Sequence, residues 1–254
     1  MPNYTVYWQP GCTSCLKAKE FLRSHGIEFE SVNVRESATA MDELSRLGAR
    51  AVPVVARDGQ FVLGQDLDEV ARFVGVTDER VRLQPPVLAA RLSALLDTAA
   101  RFTRRIPDAE LRTALPGRKR TYLDLAYHVP MIVAALLDAA AGGCLTFEHF
   151  NRKPPERIRT AGDAALVTEQ LTRSFEQWWA SNARALPDHV DTYYGVQSFA
   201  AVLERTTWHV AQHVRQLERV LELLGMPADH PLDTALLEGL PLPTDVWDAE
   251  VPLQ

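Results

Sequence analysis

Over the first 75 positions, short apolar runs alternate with helical periods and turn residues. Asn3-Tyr4-Thr5-Val6-Tyr7-Trp8 is rich in aromatic and β-branched residues and predicts a strand. Pro10-Gly11 is a turn. The helix predicted after it places Leu16, Ala18, Phe21 and Leu22 on a buried side and ends at Gly26. Ile27–Val34 predicts a second strand, and Ala38–Leu47, closed by Gly48, a second helix. Val52-Pro53-Val54-Val55 reads as a short strand, Asp58-Gly59 as a hairpin turn with Gln60–Leu63 as its partner, and Asp66–Val74 as a third helix. Strands alternating with helices predict one small α/β unit over residues 1–76. Residues 77–86, with Gln84-Pro85-Pro86, read as a linker. Beyond them only long helical periods are expected, over 87–104, 121–141, 161–183 and 197–224, with no strand. Thr121 and Asp124 form a capping-box pattern at the start of the second, and Ser198 opens the fourth. Four long helices joined by loops predict a four-helix bundle spanning 87–254. The tail from Met226 holds five prolines and is expected to wrap that bundle irregularly.

Composition narrows the function classes. The chain has 254 residues, 46% hydrophobic and 24% charged, with a net charge of −6. That balance fits an ordinary globular protein and lacks the basic stripe that phosphate neutralisation needs, so no nucleic-acid partner is expected. No stretch reaches the ~18 apolar residues of a membrane span. Met1-Pro2-Asn3-Tyr4 has neither the basic nor the apolar region of a secretory signal, so the expected setting is cytoplasmic, away from membranes. Three cysteines are too few for a disulfide framework, but two of them spaced C-x-x-C point to redox or metal chemistry.

Those two lie in Gly11-Cys12-Thr13-Ser14-Cys15. A cysteine at a helix N-terminus faces unpaired backbone N–H groups and the positive end of the helix dipole, and both favour thiolate. Cys12 holds that position and is the expected nucleophile. Cys15, one turn inside, can resolve a mixed disulfide. Proline after a short apolar run, at Val52-Pro53, suits a cis peptide beside the dithiol. With these features, residues 3–76 resemble a glutaredoxin or a closely related thioredoxin-fold redoxin. The resemblance covers the strand, the C-x-x-C, the helix, Val52-Pro53, and Gly64-Gln65-Asp66 before the last helix. It implies that Val52, Pro53 and Asp66 hold the backbone of a small thiol. Thr13-Ser14 stands where the family usually has Pro-Tyr, and Gln9 where it has a lysine. The thiol is therefore left open among glutathione, mycothiol, bacillithiol and a protein.

A second signature lies in the predicted fourth helix. His209 and His213 in Thr207-Trp208-His209-Val210-Ala211-Gln212-His213 are four residues apart and share one helix face. Three protein ligands with an open position are usual for a catalytic metal, so a third must come from another helix. His128, mid-way along the apolar second helix, is the candidate. Asp124 either orients His128 or caps its own turn, and Pro130 should kink the helix beside it. Arg205 and Arg215 share the ligand helix and could hold a carboxylate or face solvent. His25, His149, His189 and His230 read as surface residues, with His149 and His189 as candidates for a pocket rim. Cys144 reads as a buried small hydrophobe. Residues 87–225 resemble the DinB/YfiT-like superfamily, on His128 in the second helix and H-x-x-x-H in the fourth. That resemblance implies a divalent metal on His128, His209 and His213, zinc or nickel first and iron in some relatives. It also implies thiol S-transferase or isomerase chemistry, and makes a homodimer plausible by analogy. Related iron-binding domains of sulfoxide synthases continue the motif with x-Glu, where this chain has Arg215.

The expectation is therefore a thioredoxin-like α/β domain fused to an all-α, DinB-like bundle. It would be a thiol-dependent enzyme joining a dithiol to a divalent metal, acting on a low-molecular-weight thiol and an electrophilic or disulfide substrate. The alternative is a disulfide reductase whose bundle is a non-catalytic metal-binding, sensing or client-docking module.

Overall fold

The computed structural model describes residues 3–115 and 120–248. The chain divides into two compact units. One comprises Met1–Arg80 together with the described residues from Pro243 onward; the other is Val81–Leu242.

The first unit is built on a four-stranded sheet in the order β2-β1-β3-β4. Its strands are β1 (Tyr4–Trp8), β2 (Phe29–Asn33), β3 (Val54–Arg57) and β4 (Gln60–Leu63), with helices α1 (Thr13–Ser24), α2 (Ala40–Leu47) and α3 (Leu67–Val74) between and after them. β1 runs parallel to β2 and antiparallel to β3, and β3 turns into β4 through Asp58-Gly59, both at positive φ. The period-two alternation of the strands divides the core. Val6 and Val55 face Phe21, Leu22 and Val70 of α1 and α3, while Tyr7 and Val54 face Ala40 and Leu44 of α2. The alternating pattern predicts this α/β unit, and the resemblance to glutaredoxin implies its thioredoxin-like fold.

The second unit is largely helical. Its long helices are α4 (Pro85–Arg105), α5 (Tyr122–Ala140), α7 (Ala161–Asn182) and α8 (Phe199–Leu223), with the short α6 (Glu148–Asn151) between α5 and α7. α4 and α5 each pack along both α7 and α8. Thr121 and Asp124 form a reciprocal capping box on α5, Thr160 and Asp163 another on α7, and Ser198 caps α8.

Several expectations are corrected. α4 starts at Pro85, inside the expected linker, because proline is preorganised for the first helical turn. A small sheet, β5 (Cys144–Leu145), β6 (His189–Thr192) and β7 (Gly195–Ser198), lies where no strand was expected. Strands of two to four residues are too short to show a period-two signal. α5 is long and apolar enough to cross a membrane by length and composition, against the reading that no such stretch exists. Two-thirds of that window (67%) is buried within the protein, as expected of a core helix. Cys144 is exposed, since it follows the turn at Gly142-Gly143, and Gly142 has positive φ.

The tail also departs from expectation. From Pro243 it joins the first unit and lies on α1. The backbone N–H groups of Thr244 and Asp245 donate to the Glu20 carboxylate at 2.5 and 3.1 Å. Lys19 Nζ lies 2.5 Å from Asp248 Oδ2 and 3.5 Å from the Trp8 ring centroid, with Lys19 fully buried. Residues 249–254, the rest of the expected tail, lie outside the described residues. Removing one member of a buried pair leaves an uncompensated charge. Lys19→Ala should therefore destabilise the first unit by about 3 kcal/mol, seen as faster hydrogen exchange at α1 amides. The double change Lys19→Met with Asp248→Leu should recover most of that loss.

Candidate functional sites

The dithiol follows from β1 and α1. Cys12 is the N-cap of α1 and Cys15 lies in its first turn; the two form a disulfide with Cα atoms 5.2 Å apart. Cys12 Sγ accepts the Cys15 backbone N–H at 3.2 Å. Cys12 is half-buried and Cys15 fully buried, so only the first sulfur is open to an incoming thiol or disulfide. Exposure thus supports the order in which Cys12 attacks and Cys15 resolves.

The expected thiol-holding residues lie around one end of the sheet. The pairing of Tyr7 with Val54 puts Val52-Pro53 at the same end as the Gln9–Cys12 loop, and the Val52-Pro53 peptide is cis. The Gly64 N–H donates to the Pro53 carbonyl at 2.9 Å, and the Gln65 side-chain amide donates to the Val52 carbonyl at 2.9 Å. A Cβ on Gly64 would come within 2.9 Å of Pro53, so this close approach requires glycine. Asp66 uses its carboxylate to cap α3, accepting from the Asp68 and Glu69 amides at 2.9 and 3.3 Å. Gln65 was missed from the sequence because a buried amide on a loop carries no local pattern. Gln9, in the place of the family's lysine, accepts from Arg35 Nε at 3.2 Å.

In the second unit His128 of α5 meets His209 and His213 of α8. Their candidate ligand atoms all lie within 4.8 Å of one another, and all three side chains are buried. Ring centroids are 4.7 to 5.5 Å apart. The i, i+4 spacing puts the α8 pair on one stripe. Burial, reinforced by nearby positive charge, holds all three imidazoles well below their ordinary pKa, His213 down to about 3. For His128 and His213 the largest charges are Arg120 and, for His128, the other two histidines; for His209 they are His213, Arg205 and Arg120. Neutral imidazole is the ligand form.

Two of the ring nitrogens are left without a hydrogen-bond partner. His213 Nδ1 is 2.7 Å from Gln216 Oε1, while its Nε2 is buried with no hydrogen-bond partner. His209 Nδ1 is buried and likewise unpartnered. His128 lies beside Phe150, with ring centroids 6.1 Å apart. Buried polar atoms are seldom left unpaired, so these orphaned nitrogens fit a metal ion better than a structural role. Three histidines suit zinc and related divalent ions.

Other readings resolve plainly. Asp124 takes the blander role, capping its own turn and accepting from Lys153 Nζ at 3.2 Å. α5 continues through Pro130 without a break in its helical assignment. His149 is buried, not a surface residue, with Nε2 2.9 Å from Asp138 Oδ2. His25, His189 and His230 are exposed. Arg215 donates to Gln212 Oε1 at 2.7 Å. Arg120 and Phe150 were not foreseen, because they become site residues only through packing; Gln216 carried a local signal, its i, i+3 spacing from His213 on α8.

Comparison with known proteins bears on the first unit. A family profile described as Glutaredoxin matches residues 4–62. An uncharacterised glutaredoxin-like 8.6 kDa protein in the rubredoxin operon of Clostridium pasteurianum is 33% identical over 70 residues, 27% of this chain and 93% of that protein. Through its first unit, the chain belongs to the glutaredoxin family. The glutaredoxin-like protein NrdH of Lactococcus lactis is 31% identical over 69 residues, covering 27% of this chain and 96% of that protein. The gene 56 protein of Mycobacterium phage L5 is 36% identical over 72 residues, 28% of this chain and 70% of that protein. A solved thioredoxin-like protein, BC3987, aligns over all of its length and 30% of this chain at 28% identity, with a TM-score of 0.29.

The glutaredoxin unit is a thiol–disulfide oxidoreductase domain, and Cys12 and Cys15 are joined within it as a disulfide. Cys12→Ser should abolish disulfide reduction. Cys15→Ser should leave Cys12 as a stable mixed disulfide with one half of the disulfide it attacks, the other half departing as thiolate. Intact-protein mass spectrometry after exposure to oxidised glutathione and to cystine distinguishes the two. An adduct on Cys12→Ser in place of Cys15→Ser would reverse the roles.

Proposed function

We propose that the chain joins a glutaredoxin-type oxidoreductase to a divalent-metal centre on His128, His209 and His213, and that the helical unit is DinB-like. In this reading it transfers a low-molecular-weight thiol to an electrophile, or isomerises the adduct, in the cytoplasm. The observation that carries the reading is the convergence of three buried, neutral imidazoles, two of them with unpartnered nitrogens. The arrangement of four long helices with one histidine on the second and two on the fourth supports the DinB-like assignment. When bound, the metal would supply Lewis acidity that favours thiolate over thiol at neutral pH.

The residues of the chain have definable parts in this chemistry. Gln216 fixes the ring of His213 by holding its Nδ1. Burial and the neighbouring positive charges keep the imidazoles deprotonated, so no ligand proton has to be displaced near pH 7. The dithiol completes a thiol cycle. The Cys12 thiolate attacks a disulfide RS–SR′, forming Cys12–S–SR and releasing R′S⁻. The Cys15 thiolate then attacks Cys12 Sγ, releasing RS⁻ and leaving the Cys12–Cys15 disulfide, which an external protein dithiol reduces while becoming a disulfide itself. Each turnover thus yields the free thiol that the transferase step consumes. The link between the two chemistries is a diffusible thiol.

Two measurements test this. Untagged full-length protein purified without chelator should hold about one equivalent of zinc, nickel or iron, and the His209→Ala, His213→Ala double variant should hold less than about a tenth of that. Absence of metal from the wild type, even after reconstitution, would reduce the helical unit to a docking module. The full chain carrying Cys12→Ser and Cys15→Ser should then still consume thiol with an electrophile such as monobromobimane faster than solution chemistry, and His213→Ala should remove that gain. Metal binding with no such gain would favour a structural or sensing centre.

A further inference from the structure

The α8 stripe that carries His209 and His213 begins one turn earlier, at Arg205. Arg205 is only 6% exposed. Its Nη2 is 3.3 Å from the Tyr193 hydroxyl, and its guanidinium lies over the rings of Phe150 at 5.4 Å and Tyr194 at 5.3 Å. Its Nε is buried without a hydrogen-bond partner, and among the described residues no carboxylate is paired with it. A buried cation without a counter-charge is strongly unfavourable, and aromatic faces offset only part of that cost. Lys19, the fully buried cation of the first unit, has Asp248. Arg205 has a phenol and two rings.

Phe150 ties this unpaired charge to the histidine cluster. Its ring centroid is 5.7 Å from that of His209 and 6.1 Å from that of His128. The Arg205 charge also acts on His209, and Arg120 acts on all three histidines. Three features specify the missing partner. The guanidinium edge that includes Nε is a planar fork, which matches the two oxygens of a carboxylate. The flanking aromatic faces favour a flat group over a tetrahedral one. A single guanidinium also balances one negative charge.

We propose that Arg205 is the carboxylate-binding residue of the histidine site, and that the electrophile accepted there is a small molecule bearing a carboxylate. The assignment of an electrophile rests on the transferase reading above; the anion site itself does not. The probe pair is benzoate and benzamide, equal in shape and differing in charge. Binding to full-length protein is measured by titration calorimetry, once after metal removal and once after zinc reconstitution, with bound zinc counted in parallel. Metal-free wild type should bind benzoate about tenfold or more tightly than benzamide. Arg205→Gln should erase that preference, and Arg205→Lys should keep part of it. Benzoate binding no better than benzamide in the metal-free wild type, including no binding of either, overturns the proposal. So does a preference that survives in Arg205→Gln. Because the wild-type comparison needs no variant, a poorly folded Arg205→Gln does not leave the question open. Protein that prefers benzoate but takes up no zinc would sink the metal centre and keep Arg205 as an anion site. Protein that takes up zinc without the preference would do the reverse.

Discussion

Everything notable in the helical unit depends on keeping three imidazoles together out of water. A histidine in solution near neutral pH is partly protonated, and three protonated rings would repel one another at centroid separations of 4.7 to 5.5 Å. Desolvation removes that difficulty by disfavouring the charged form of each ring. The cluster then requires rigid support, because neutral imidazoles attract one another only weakly. α8 supplies two of them on a single helical stripe, and the α5–α8 packing supplies the third. The apolar character of α5, strong enough to pass a membrane-span test, is the sequence's way of burying His128 against its neighbours. The contact of His213 Nδ1 with Gln216 Oε1 then leaves Nε2 as the ring nitrogen without a partner.

The first unit solves a different problem with the same means. Its reactive sulfur must be accessible while its partner is not, and placing them at the N-cap and in the first turn of one helix achieves both. The backbone amide of Cys15 turns toward Cys12 Sγ. The loops carrying Val52-Pro53 and Gly64-Gln65 brace each other by two hydrogen bonds, one from the Gly64 backbone and one from the Gln65 side chain.

What could be read from the sequence follows the range over which each signal acts. Capping boxes at Thr121 and Thr160, the Asp58-Gly59 turn and the C-x-x-C are local, and the structure has each where local chemistry puts it. The histidine trio was legible because helical period alone brings His209 and His213 together, leaving only one partner to find. The Lys19–Asp248 pair was not legible, since the two residues are far apart in the chain and each looks like an ordinary surface charge. His149 was misread for a similar reason: its burial comes from contact with Asp138 on another helix, which no local polarity pattern shows. β5, β6 and β7 escaped because their pairing, and not their composition, makes them strands. Asp124 shows the opposite case, where two uses were compatible with its spacing and the structure takes the local one.

Charge balance ties these observations to chemistry. The protein carries a net charge of −6, yet the environment of the trio is positive, with Arg205 and Arg120 both acting on its histidines. Three neutral ligands neutralise none of a divalent ion's charge, unlike a ligand set that includes a carboxylate or thiolate. A site of that composition favours anions and discriminates against neutral molecules in proportion to how well it excludes water. In the proposed reaction thiolate would be stabilised relative to thiol there, and a carboxylate on the second reactant would be stabilised by the Arg205 guanidinium, which has no carboxylate partner among the described residues. The same excess positive charge would be a liability in a purely structural bundle, where a buried guanidinium without a counter-ion costs stability and returns nothing. The unpaired Arg205 is therefore a stronger argument for a small-molecule site than the histidines alone, which a structural metal would explain equally well.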